Sequence, residues 1–120
     1  MVVILENAEY SARHFNFDRM TAYLGNDKET IKKILLLVIK ELKLSVKKFE
    51  EYIFNERLED IKHTAQKLAK TTASVGLDRL CTLIRKLENL PSFDSNILNH
   101  YIYALKSEIR LAKKLINGYL

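Results

Sequence analysis

Apolar residues recur at Ile31, Ile34, Leu35, Val38, Leu42, Val46, Phe49 and Ile53, in steps of three and four. That spacing lines one face of an α-helix, and a stripe sustained over several turns suits a helical bundle. The same period returns at Leu58, Ile61, Ala65, Leu68, Thr72 and Val75, and again at Leu77, Leu80, Cys81, Ile84 and Leu87. A last stripe comprises Leu98, Tyr101, Ile102, Leu105, Ile109, Ala112, Ile116 and Tyr119. A short helix is also predicted over 15–24, ending at Gly25, a residue suited to the left-handed position after a helix. Asn26 and Glu29 have the spacing of a capping box for the helix that follows. Asn55-Glu56-Arg57 reads as a turn, Gly76 as a stop or kink, and Leu90-Pro91 as the end of the fourth stripe. Ser92, Asp94 and Ser95 are each candidate caps for the last helix. The predicted fold class is all-α: an antiparallel four-helix bundle with a short additional N-terminal helix. Residues 1–14 are expected to be an N-terminal extension and 15–120 the bundle domain.

Composition narrows the function classes. The chain of 120 residues has only 3 Gly and 1 Pro, too few for the many tight turns of a β-sandwich or barrel. Gly25, Gly76 and Gly118 stand far apart and no Gly-Lys-Ser/Thr occurs, so a glycine loop that cradles phosphates is not expected. Cys81 is alone, which leaves no intrachain disulfide and no cysteine-based zinc site; it is expected to be a small buried hydrophobe. His14, His63 and His100 form no His-x-x-x-His or Glu-x-x-His pair, and no metal or cofactor is implied. His100 is expected to pack beside the last apolar stripe. The Tyr and Phe residues are expected at core or core-edge positions. The opening Val2 to Leu5 is apolar but short and is followed by Glu6. It reads as neither signal peptide nor membrane span, but as a short element covering the bundle or, as the less favoured alternative, a self-association patch. A cytoplasmic location is expected.

The stretch from Ala65 to Leu77 carries a resemblance. Ala65, Leu68, Ala73, Ser74, Val75, Gly76 and Leu77 match the core of the histidine-containing phosphotransfer (HPt) family, whose signature runs Ala/Gly-His-x-Leu/Ile-Lys-Gly, then small residues, then Leu/Val-Gly-Leu. Phe17-Asp18-Arg19 through Leu24-Gly25 is similar to the family's opening helix and its Leu-Gly turn. The long second helix and the segment from Leu80 to Glu88 also fit, so the resemblance covers most of the chain. It implies a four-helix bundle and a place in two-component phosphorelay, where such domains carry a phosphoryl group between receiver domains. The departures fall at the chemistry. The family's phospho-accepting histidine corresponds to Gln66, its lysine to Ala69 and its following glycine to Lys70. A glutamine amide nitrogen is delocalised into its carbonyl and is no nucleophile at neutral pH, whereas imidazole is one. The resemblance therefore implies a degenerate HPt domain that is not an enzyme.

His63 precedes Gln66 by one helical turn and is the alternative phospho-acceptor. On a wheel at about 100° per residue it points away from the core, with Lys67, Lys70 and Ser74 on the same outer half and Gln66 on its flank. An exposed imidazole among ammonium groups is chemically able to hold a phosphoryl group. An exposed histidine beside Lys62 and Lys67 is more simply a solvated surface residue, and phosphoryl transfer demands close alignment.

The formal charge of +5 raises the question of nucleic acid. Lys32, Lys33, Lys40, Lys47, Lys48, Lys106, Arg110, Lys113 and Lys114 are interleaved with Glu41, Glu50, Glu51 and Glu108, which suits the solvated side of amphipathic helices. No recognition helix or basic arm stands out, and neither nucleic acid nor membrane is an expected partner. Lys62, His63, Gln66, Lys67, Lys70 and Ser74 are instead expected to form a docking face. Its partner would be the carboxylate-rich surface of a response-regulator receiver domain, or a histidine kinase. The protein is expected to act as a monomer. A helical scaffold or oligomerisation module unrelated to relays is the remaining reading.

Overall fold

The computed structural model describes residues 14–119; the apolar stretch Val2 to Leu5 lies outside them. Among the described residues there are five helices and no strand. They are α1 (Phe17–Leu24), α2 (Lys28–Phe54), α3 (Leu58–Ser74), α4 (Asp78–Glu88) and α5 (Ser95–Tyr119). Helix α2 packs on α3 and α5, α4 packs on the same two, and α1 rests against α2 and α3. Helices α3 and α5 do not touch, so they occupy opposite corners of the molecule.

The apolar periodicity becomes the core. Ile31, Leu35, Val38, Leu42, Val46, Phe49 and Ile53 of α2 are buried, and Ile34 is half-buried. Ile61, Ala65, Leu68 and Thr72 are the buried positions expected on α3, and the Thr72 hydroxyl donates to the Leu68 carbonyl oxygen at 2.9 Å. Leu80, Cys81, Ile84 and Leu87 of α4 meet Leu98, Ile102, Leu105, Ile109, Ala112 and Ile116 of α5 in the same cluster. Burial of such side chains contributes about 1.5–3 kcal/mol each, the dominant favourable term in the fold. Not every expected position is inside. Tyr23, Phe54 and Tyr103 are exposed, because each lies off its helix's stripe.

The caps refine the boundaries. Asn16 caps α1, its Oδ1 accepting from the Arg19 N–H at 2.9 Å. The cap of α2 is Asp27 rather than Asn26, with its carboxylate held by the Thr30 hydroxyl. Asp94 is the cap selected among the three candidates for α5, its Oδ1 accepting from the N–H groups of Asn96 and Ile97 at 3.0 and 3.2 Å. Helices α2 and α3 end alike. The Arg57 N–H returns to Tyr52 O at 2.8 Å and the Leu77 N–H to Thr72 O at 2.9 Å, the long bond of a Schellman turn. The residue inside each loop has positive φ: Glu56 at 55° and Gly76 at 80°.

At Gly76 the reason for glycine is spatial as well as conformational. A Cβ there would stand 2.5 Å from the Asn16 carbonyl oxygen and 3.2 Å from Met20 Cβ. The Asn16 N–H donates to Gly76 O at 2.7 Å, and the Arg79 N–H donates to His14 O at 3.0 Å, so the chain before α1 is tied to the α3–α4 turn. His14 is anchored a second time. Its Nδ1 lies 2.7 Å from Glu108 Oε2 on α5, and both side chains are nearly enclosed, at 12% and 8% exposed. Burial raises the Glu108 carboxyl above its usual value, against the lowering effects of the His14 hydrogen bond, the His14 charge and Arg79.

Two outcomes follow for stability. Gly76→Ala should cost about 2 kcal/mol or more, from the strained φ plus the clash. Gly118→Ala, where a Cβ meets nothing within 4 Å inside α5, should be neutral or stabilising by up to about 1 kcal/mol; urea unfolding of the two variants checks this. For Glu108 the folded state favours the protonated carboxyl. Its contribution is complete below the usual carboxylate value and is lost as pH rises through the raised one. Unfolding curves between pH 4 and 8 should therefore show wild type losing stability relative to Glu108→Gln as pH increases.

Candidate functional site

Helix α3 carries its small and apolar side chains inward because Ala65 and Ala69, fully buried, allow close approach to neighbouring helices. Packing on that side leaves the opposite face to solvent. His63, Gln66, Lys67 and Lys70 are exposed, while Lys62 and Ser74 are half-buried at its margins. The six residues span about 140° of the helix circumference at 100° per residue. The structure thus brings the whole expected set onto one surface. The Ser74 hydroxyl is turned back on its own helix, donating to Lys70 O at 2.8 Å.

The surroundings of His63 include groups that sequence reasoning did not associate with it. An open depression is lined by Glu59, Lys62, His63 and Gln66 of α3 together with Glu88 and Asn89 from the end of α4. Glu88 is held by Arg85 at 3.4 Å on its own helix. The signal was present in the chain: His63 and Asn89 lie equally far on either side of Gly76, so a hairpin of α3 and α4 sets them opposite one another. Two carboxylates therefore dilute the positive cast around His63. Lys67 and Lys70, farther along α3, pair with no carboxylate among the described residues.

Each departure from the HPt signature has a local physical setting. Gln66 presents an amide, with donors and acceptor, to solvent. Ala69 is enclosed, and its carbonyl oxygen lies 3.4 Å from the Cys81 thiol of α4; a lysine at this position would thrust an ammonium group into the α3–α4 contact. Lys70 projects from the surface where the family signature has no side chain at all. Cys81 is buried, as expected.

The other two histidines differ in setting. His100 was expected to pack, and it is exposed, in ring contact with Tyr101 at 6.2 Å between centroids. It lies about 200° around the helix from both Leu98 and Ile102, the residues that reach the core. His14 is the enclosed one, through Glu108 on α5. Its neighbour there lies 94 residues away, and no local pattern announces the pair.

Among the described residues, no group of three or more His, Cys, Asp or Glu side chains is arranged to hold a metal ion. No helix among them is long and apolar enough to cross a membrane. Comparison with protein-family models, with curated proteins and with solved structures finds no match.

The two sides of α3 should respond differently to substitution. Gln66→His and His63→Ala are expected to change the unfolding free energy by no more than about 0.5 kcal/mol. Ala69→Lys, which places an ammonium group at an enclosed position, should cost about 2 kcal/mol or more. Denaturant unfolding followed by circular dichroism distinguishes the two.

Proposed function

We propose that this chain is a pseudo-phosphotransfer domain of two-component signalling. On this reading it is an HPt-like antiparallel four-helix bundle, with α1 the short additional helix, that binds a receiver domain or a histidine kinase without carrying phosphate. The observation that carries the reading is Gln66: an exposed side chain in the middle of α3, at the position where the HPt signature has its histidine. The ring of contacts among α2, α3, α4 and α5 supports the bundle. The exposed Lys67 and Lys70 support docking, since a receiver surrounds its phosphorylatable aspartate with carboxylates and opposite charge favours encounter.

The domain would act by occupancy. With an amide at position 66 there is no nucleophile to take the phosphoryl group, so a docked receiver keeps its phosphate and is withheld from an active carrier. Gln66 can donate to and accept from the receiver surface in the same complex. A second reading, favoured by the exposure of His63 in the same depression as Gln66, makes His63 the phospho-acceptor.

One experiment separates them. The protein is mixed with each receiver domain of its genome, free and phosphorylated, and both binding and label transfer are measured. The expected result is binding to at least one receiver without transfer, weakened about tenfold by the double charge reversal Lys67→Glu/Lys70→Glu. An acid-labile, base-stable label that disappears in His63→Ala would install the second reading. Absence of binding to every receiver and histidine kinase would remove both.

A further inference from the structure

The basic residues that look dispersed along the chain are gathered by tertiary packing. A groove between α2 and α5, 310 Å³ in volume, is lined by Lys43, Val46, Lys47, Glu50, Lys106, Ile109 and Arg110. Lys113 stands beside Lys43, near enough to hydrogen-bond to it. The single acid, Glu50, is consumed by Lys106 at 3.2 Å. Among the described residues no carboxylate pairs with Lys43, Lys47, Arg110 or Lys113. Four cations on two helices thus share one open site whose floor is aliphatic.

We infer that this groove is a binding site for a compact, phosphate-rich anion, either a free oligophosphate or the phosphorylated headgroup of a lipid. Multiple cations converge on it, with Arg110 supplying the planar fork that matches phosphate oxygens and the lysines supplying point charges. The contact between Lys43 and Lys113 has the same sense. A lysine nitrogen accepts a hydrogen bond only after giving up its proton, and this hydrogen bond, with the repulsion between the two groups and some burial, holds Lys43 below the usual lysine value. An anionic oxygen between the two nitrogens would let both keep their charge. The dimensions select a small ligand. Lys43 to Glu50 and Lys106 to Lys113 each span about 10 Å of helix, over which a nucleic-acid duplex presents only about three phosphates per strand. No aromatic side chain lines the groove to stack a base.

The site is independent of the proposed docking face. It lies between α2 and α5, and it shares no lining residue with the α3 face. Titration calorimetry at an ionic strength of about 0.1 M, where the screening length is about 10 Å, should show saturable, one-to-one binding of tripolyphosphate. The double variant Lys43→Glu/Arg110→Glu should weaken it about tenfold or more, and Lys67→Glu/Lys70→Glu should leave it within about twofold. Vesicles of phosphatidylcholine with and without a phosphoinositide bisphosphate form the second arm. Binding to them that depends on Lys43 and Arg110 identifies the headgroup as the source, and tripolyphosphate binding alone identifies a free ligand. The inference is overturned by the absence of saturable binding in both arms. Equal weakening by the two double variants, which would mark non-specific charge attraction, overturns it as well. So does an oligouridylate that binds through Lys43 and Arg110 more tightly than tripolyphosphate does.

Discussion

Everything that gives α3 a defined outer face passes through the turn at Gly76. The chain must leave α3, reverse and enter α4 within a few residues, and the positive φ of Gly76 lets the Schellman bond from Leu77 to Thr72 close. The absence of a Cβ then allows Asn16 to approach and donate to the Gly76 carbonyl. That contact docks the start of α1 over the α3–α4 turn, where Arg19 also reaches Asp78 at 3.0 Å. The ion pair is exposed and adds little by itself. The backbone contact is what holds α1 in place, because a buried amide without a partner is costly.

From that junction the orientation of α3 follows. Ala65, Ala69 and Thr72 are turned toward neighbouring helices, and small side chains there let α3 and α4 lie close together. The outer face receives what the core does not accept: His63, Gln66, Lys67 and Lys70. The exposed amide of Gln66 and the ammonium groups of Lys67 and Lys70 can form charged and hydrogen-bonded contacts, and His63 adds an imidazole beside the carboxylates of Glu59 and Glu88. The proposed binding role and an amide at position 66 are consistent at the level of functional groups.

The molecule has two polar surfaces of different character. The α3 face is a convex strip with a mixed-charge depression at one end, suited to a large partner that covers it. The α2–α5 groove is concave, and among the described residues no carboxylate pairs with its Lys43, Lys47 or Arg110. Because α3 and α5 stand at opposite corners, a partner on one leaves the other open.

The helices, their order and most of their buried residues were legible in the chain, because a 3.6-residue period is a local property that a stripe such as Leu35, Val38, Leu42 and Val46 displays by itself. So was the outward direction of His63 and Gln66, which follows once Ala65 and Thr72 define the inner side. The setting of a residue between helices was not legible. Lys43 and Lys113 belong to stretches that each read as ordinary solvated helix, and only the packing of α2 on α5 sets them side by side. His100 looked placed to pack, and its position on α5 instead turns it to water, while the enclosure of His14 by Glu108 of α5 had no local signal. Charge and hydrophobic period are written along the chain, but whether two like charges oppose each other or a histidine meets a carboxylate depends on distances that only the folded helices establish.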